Sequence, residues 1–536
     1  MRYFTETYCS GKIGELMKFV GLLALLFTLQ VAADSVQLTE QKLYRRCYMQ
    51  LVQSPIPLKD PVLVQIKAGQ AKAIDACMNL LNEANLDGQG LIKNSGNALG
   101  SVQQKVLRTF FEFHNTWFSA NSITQVQDYN EELNRGSTDV YDAHEQSYFL
   151  TRALFSNSKF SDVLKGTERL KAVRIEDSVR VRAVIGRDFA TRAPSRTVLG
   201  ENGFWDLNTV LFQSMDGTHT GNGDVRPAAD FVRAPLVAVG SLVGIQTNMD
   251  PFMVRNLSME PLGNFRPGSS EPSLEYSYGF FRNHGGGIIG LPSYFLMNYG
   301  HGRGLKFNGT TKLPRRWVKS VMETFMCATL PTLREGDIQN LVVPTSNTPF
   351  RKSSSCVQCH ATMDQAAYVA RNLTTGSSAF FVIDSGSNPE HTLSKIPLML
   401  AQYRQEKEST SEWIHIDDPE FHIKKSTGKF LTRLFNGELL DRNISSIDDL
   451  GNVITQTQDF YTCAAKRYFE FLTGIQVPLY DKKDPRYADM NRTLTPEHIK
   501  NREFVESLGS DLQQDQSLKN LVRKIMVSDY YKSQEF

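Results

Sequence analysis

One pentapeptide constrains this 536-residue chain more than any other stretch: Cys356-Val357-Gln358-Cys359-His360. Two thiols at this spacing followed at once by an imidazole form the attachment pattern of a c-type haem. The thiols bond the two vinyl groups, and the His ligates iron from one face. The expectation is one covalent haem c, bound by Cys356 and Cys359, with His360 as the proximal iron ligand. A zinc half-site or a dithiol redox pair uses the same Cys-x-x-Cys spacing. No second Cys-x-x-Cys is present to complete a zinc site.

Near the N-terminus, Lys18 precedes an apolar run from Phe19 to Leu29, and Val31-Ala32-Ala33-Asp34 follows. A positive residue, a short apolar core and small residues before a cleavage point describe a secretory signal peptide, here residues 1–33 with cleavage after Ala33. The polar stretch ahead of Met17 makes that Met an alternative start. The run falls short of the roughly 20 residues that span a bilayer, and no later segment is longer and as apolar. The mature chain is therefore expected to be soluble and periplasmic or otherwise exported, without a transmembrane segment. Cys9 lies in the leader, which leaves Cys47, Cys77, Cys327 and Cys463 beside the motif cysteines. Four thiols in an oxidising compartment suggest two disulfides. Spacing does not set their connectivity; Cys47 with Cys77 and Cys327 with Cys463 is the expected pairing, with free buried thiols as the alternative.

The 59 basic and 57 acidic residues are spread along the chain without a long block of one sign, so nothing supports nucleic-acid binding. Hydrophobic residues make up 41%, enough for a large core, and the length suggests about two to four domains. The fold class expected is mainly α: a multi-helix protein with a c-type haem-binding module and long Gly-rich loops. Residues 34–262 read as an N-terminal mainly helical region, 263–400 as the haem module and 401–536 as a C-terminal helical domain.

Apolar residues recur at helical spacing from Leu38 to Leu51 and from Val62 to Leu81, with Pro55, Pro57 and Pro61 between them. This predicts a helical hairpin with Cys47 and Cys77 on its two arms. Ser101 to Trp117 and Val140 to Leu170 also read as helical. Ser195 to Asp250 reads as long loops with short elements. Within it, Asp216 to Asp224 has oxygen side chains at alternate positions but lacks the closing bidentate Glu of a calcium loop, so a turn-rich loop is the better reading. Gly263 to Gly304 is rich in Gly and Ser and leads towards the motif. It carries neither a phosphate-loop ending nor a dinucleotide fingerprint. Arg315 to Thr329 reads as an amphipathic helix, and 330–355 as a loop.

Three stretches together resemble the planctomycete-type cytochrome c proteins: Gly287-Ile288-Ile289-Gly290-Leu291-Pro292-Ser293-Tyr294-Phe295-Leu296, then Leu313-Pro314-Arg315-Arg316-Trp317-Val318, then Cys356 to His360 with Met363-Asp364. In that family, domains of unknown function surround one haem motif. The segment Leu450 to Gly474 is similar to a family helix ending in a Leu-Gly-Arg-like turn, and Leu518 to Tyr530 to the last helix. Gln365 and Ala366 stand where the family usually has Pro after Met-Asp. The resemblance implies a periplasmic haem protein and leaves the reaction open.

The sixth iron ligand decides the chemistry, because Met, His or an open position give different functions. Met399, in Ile396-Pro397-Leu398-Met399, stands at a separation typical of small cytochromes c and is the first choice for the distal ligand. His391, His415 and His301 follow. Met363, one turn beyond His360, reads as packing. In the C-terminal part, Ser445 and Asp448 are candidate helix caps, Gly474 a helix stop, and Leu518, Leu521, Val522, Ile525 and Met526 one apolar stripe. No Ser-His-Asp, paired-carboxylate or metal-hydrolase motif stands out. The combined expectation is an exported monohaem c-type cytochrome passing electrons to an unidentified periplasmic redox partner. The alternatives are a haem-dependent oxidoreductase, peroxidase- or oxidase-like, with an open distal site, or an envelope binding protein that carries a redox haem module.

Overall fold

A computed structural model describes residues 37–93, 100–118, 144–174, 242–247, 257–259, 276–278, 283–298, 313–382, 392–403, 421 and 424–533. Helix dominates these residues, as the apolar periodicity predicts. The first helix, α1 (Glu40–Val52), begins where the Thr39 side chain accepts a hydrogen bond from the Lys42 amide. The spacing from Val62 to Leu81 reads as one helical arm, but the chain forms two helices there, α2 (Pro61–Lys67) and α3 (Ala73–Glu83). Gly69 separates them at φ 71°, a left-handed turn that a residue with a Cβ adopts only at a cost.

Helix α4 (Val102–Asn115) follows the Ser101 cap, and α5 (Glu145–Phe155) packs beside it. Among the described residues, the helical reading of Val140 to Leu170 holds as α-helix only for α5. Asn157 takes φ 56°, a left-handed stop that Asn tolerates, and a single 3-10 turn (Phe160–Leu164) leads to strand β1 (Leu170–Arg174). Strand β1 pairs antiparallel with β2 (Leu242–Thr247). A buried ion pair fixes this junction: Arg169 donates to both carboxylate oxygens of Glu145 at 2.6 Å, and the Leu170 amide donates to Oε1 at 2.9 Å.

A four-stranded antiparallel sheet was not part of the helical reading. It joins β3 (Leu257–Met259), β4 (Tyr276–Tyr278), β5 (Leu373–Val382) and β6 (Thr392–Tyr403) in the order β3-β4-β6-β5. The β5–β6 register shifts between Gly376 and Ser378, opposite Pro397, which has no N–H to donate to the ladder. A hairpin of β7 (Gly428–Arg433) and β8 (Leu439–Ile444) follows. The remaining labelled helices are α6 (Pro292–Met297), α7 (Leu313–Phe325), α8 (Ser354–Ala367), α9 (Ile447–Thr455), α10 (Gln458–Thr473), α11 (Pro496–Asp515) and α12 (Leu518–Val527).

These elements share one apolar core. It runs from Leu43 and Leu51 of α1 through Trp317 of α7 to Tyr468 of α10 and Ile525 of α12, so all three stretches marked out in the sequence contribute to it. Both expected disulfides are present: Cys47–Cys77 ties α1 to α3, and Cys327–Cys463 ties the end of α7 to α10. The five-residue stripe of α12 is buried throughout, and Gly474 closes α10 at φ 75°. The cap of α9 is Ser446 rather than Ser445: its side chain accepts from the Asp449 amide. Asp448 instead accepts the Gly166 and Gly286 amides, each at 3.0 Å, and so clasps two distant turns together.

The two ends of the described chain meet. The Leu38 amide donates to Lys532 O at 2.8 Å, and Arg46 Nη1 donates to Tyr531 O at 2.6 Å. The Arg46 guanidinium also lies 4.5 Å from the Tyr531 ring centroid. Among the described residues no helix is long and apolar enough to cross a membrane.

Candidate functional site

Helix α8 carries the pentapeptide. Positions three and four apart share a helix face, so Cys356 lies beside both Cys359 and His360. The helix is held between two apolar groups. Val357 and Ala361 pack with Leu333, Ile338 and Leu431 in a small separate cluster, whereas Ala366 and Ala367 join the main core. Met363 packs against that main core, as its place one turn after His360 suggests. On the β7 side, Thr362 Oγ1 donates to Leu431 O at 2.6 Å. Gly428 is required at the start of β7, because a Cβ there would stand 2.3 Å from Gln365 O.

His360 is oriented from two directions. Its Nδ1 lies 3.1 Å from both oxygens of Asp364, one helical turn on. An ionised carboxylate only accepts, so Nδ1 carries a hydrogen, and in the neutral imidazole the lone pair is then on Nε2. No hydrogen bond reaches Nε2 among the described residues. The ring of Phe350 stacks on the imidazole with centroids 4.1 Å apart and planes 14° from parallel. This contact covers a ring face and leaves the in-plane lone pair uninvolved.

Asp364 is itself clamped. Arg315 of α7 donates through Nε to Oδ1 at 2.6 Å and through Nη2 to Oδ2 at 2.9 Å, a two-pronged geometry suited to a planar guanidinium. Burial alone would raise the Asp364 carboxyl. The hydrogen bonds from His360 and Arg315, with the Arg315 charge, outweigh it and hold the carboxyl below its usual range. Arg315 also lies 5.5 Å from the centroid of Phe350, which closes a four-residue arrangement around the imidazole.

Cys356 is exposed and Cys359 half-buried, and neither is in a disulfide. Burial raises the Cys359 thiol, an effect opposed by Arg486 and reinforced by Cys356. Among the described residues no three His, Cys, Asp or Glu side chains converge as a metal-ion site.

Met399 lies in β6, opposite Gly376 of β5, and its side chain is outside the described residues. His301, His391, His415 and the Asp216 to Asp224 stretch are outside them as well. Sequence reading missed Asp364, Arg315 and Phe350 as partners of His360. The one available signal was the four-residue interval between His360 and Asp364.

The donor set fits a haem c. Two reduced thiols and an imidazole with a protonated Nδ1 share one helix, and a ligating His characteristically donates its other N–H to a carboxylate or carbonyl. Comparisons with family models, curated proteins and solved structures found no match to this chain.

Proposed function

We propose that this protein is an exported monohaem c-type cytochrome that transfers electrons to a periplasmic partner. The reading rests on one observation above the others: Asp364, itself clamped by Arg315, holds His360 Nδ1 and leaves Nε2 as the available ligand atom. In this reading Cys356 and Cys359 anchor the porphyrin and His360 is the proximal ligand. Met399 is the proposed distal ligand. When bound, the haem supplies a one-electron iron couple. Asp364 accepts the Nδ1 hydrogen and makes the imidazole a stronger donor, while Phe350 limits rotation of the ring. The large helical body would present the site to its partner.

The test is to produce the full chain in a periplasm competent for cytochrome c maturation and record a pyridine haemochrome spectrum. Covalent haem in wild type and its loss in Cys356→Ser/Cys359→Ser support the reading. A folded chain without covalent haem in such a host overturns it. Carbon monoxide added to the reduced protein then separates the variants of the reading. An unchanged spectrum means a filled sixth position and electron transfer, whereas prompt binding means an open site suited to an oxidoreductase.

A further inference from the structure

A cavity of about 740 Å³ opens between α1, α2, α3 and the start of α4, far in sequence from the pentapeptide. Two tyrosines of α1, Tyr44 and Tyr48, line it with only 1% and 4% of their surface exposed, their rings edge to face at 6.0 Å. Neither hydroxyl has a hydrogen-bond partner among the described residues. Both side chains line the cavity, so an occupant can supply the hydrogen bonds that their hydroxyls do not make within the protein.

The charge of the wall indicates its chemistry. Asp60, Asp75 and Glu83 line the cavity together with one cation, Lys72; Asp75 is paired with Arg523 at 2.9 Å, which leaves Asp60 and Glu83 as the lining carboxylates without an ion pair among the described residues. Asp60 Oδ1 is engaged by the Leu63 amide and Glu83 Oε2 by Gln103 Nε2. Each of these two carboxylates keeps one oxygen free of hydrogen bonds among the described residues. Both act on Tyr44: after burial, which contributes most, the negative charges of Asp60 and Glu83 help keep its phenol protonated. Val62 and Leu80 add an apolar wall. The Cys47–Cys77 disulfide, one residue apart from the lining on each helix's inner face, locks α1 to α3 and fixes the spacing of the walls.

We infer that this cavity binds a small organic cation, an alkylammonium or guanidinium with a short hydrocarbon body. The cationic head lies between the Asp60 and Glu83 carboxylates and the two phenolic oxygens, and the hydrocarbon body lies against the apolar wall. Tyr rings add attraction for a cation beyond their hydroxyls.

Isothermal titration of the full oxidised chain with n-butylammonium tests this, with 1-butanol as the uncharged match. The expected result is saturable binding of n-butylammonium at or below about 1 mM and binding of 1-butanol at least about tenfold weaker. Asp60→Asn/Glu83→Gln should weaken the ammonium at least about tenfold; Asn still caps α2, so the helix start is kept. Tyr44→Phe/Tyr48→Phe retains the packed rings and should also weaken binding by about fivefold or more; it decides the matter if the carboxylate variant does not fold. Equal binding of the alcohol, undiminished binding in the folded variants, or no binding by wild type up to about 10 mM overturns the inference.

Discussion

Helices α8 and α10 each serve a histidine, and they treat it in opposite ways. Beside α10, His114 is fully buried with both nitrogens occupied: Nδ1 lies 2.9 Å from Thr151 Oγ1 and Nε2 2.7 Å from Tyr468 OH. Thr151 spends its own hydrogen on Ser147 O, so its oxygen accepts from Nδ1–H and Nε2 accepts from the tyrosine. Burial pushes this imidazole down to about 3, which keeps it neutral. On α8, His360 has one nitrogen tied to a carboxylate, one without a hydrogen bond among the described residues, and 22% of its side chain exposed. Saturation marks a structural histidine. A single oriented donor leaves the other nitrogen open to one further partner.

The contrast carries a measurable consequence: changes around α10 should cost stability, and changes around α8 should cost chemistry. The largest effect expected is loss of the Cys327–Cys463 bridge, which closes a sequence separation of 136 residues. Cys327→Ala/Cys463→Ala should lose about 5 kcal/mol in urea denaturation, whereas Cys356→Ser/Cys359→Ser in the haem-free chain should stay within about 1 kcal/mol of wild type. Equal losses would erase the contrast.

The next effect is in pH. Asp459, in the first turn of α10, is buried and pushed up to about 7, with the Phe435 amide and Arg502 opposing that rise. A carboxyl whose folded value lies above its unfolded value of about 4 contributes stability in full below that value and loses it as pH rises through about 7. The loss should be on the order of 4 kcal/mol, and Asp459→Asn should flatten the profile between about pH 4 and 7. Asp364 on α8 is held low, so its contribution is present above its unfolded value and fades as pH falls. Denaturation midpoints of the two Asn variants across pH would therefore diverge in opposite directions from wild type; parallel profiles would break the comparison.

Replacing the histidines gives the sharpest pair. His114→Ala leaves a cavity and strands Tyr468 OH without its acceptor, and about 3 kcal/mol of stability should be lost. His360→Ala removes a partly exposed ring while Arg315 keeps Asp364 paired, so its stability cost should stay near or below about 1 kcal/mol. If the chain carries the proposed haem, the cost of His360→Ala should appear in the haem spectrum instead.

Local pattern revealed what local pattern controls. The α12 stripe, the α10 stop at Gly474 and the hairpin that brings Cys47 to Cys77 all follow from helical periodicity and glycine chemistry. The break at Gly69 was hidden because apolar spacing continues across it on both sides. Ser445 and Ser446 are chemically equivalent in the sequence, and only the backbone decides which one caps α9. Strand β5 eluded the reading because Leu373-Thr-Thr-Gly-Ser-Ser lacks a two-residue alternation. At the site, the three pentapeptide residues were legible, but Arg315 reaches Asp364 across 49 residues and no local spacing encodes that meeting.

The joining of the chain's two ends sets a schedule for folding. Gln37 Nε2 donates to Asp529 across 492 residues, and Arg46 completes its contacts with Tyr531 only when that segment exists. At about 5–20 residues per second of synthesis, α1 waits roughly 25–100 s for the strand of chain that covers it. During that interval its apolar face has no cover from the C-terminal segment, and the thiols of α8 emerge before the body has closed. Covering of α1 is thus one of the last steps that the path of the backbone allows.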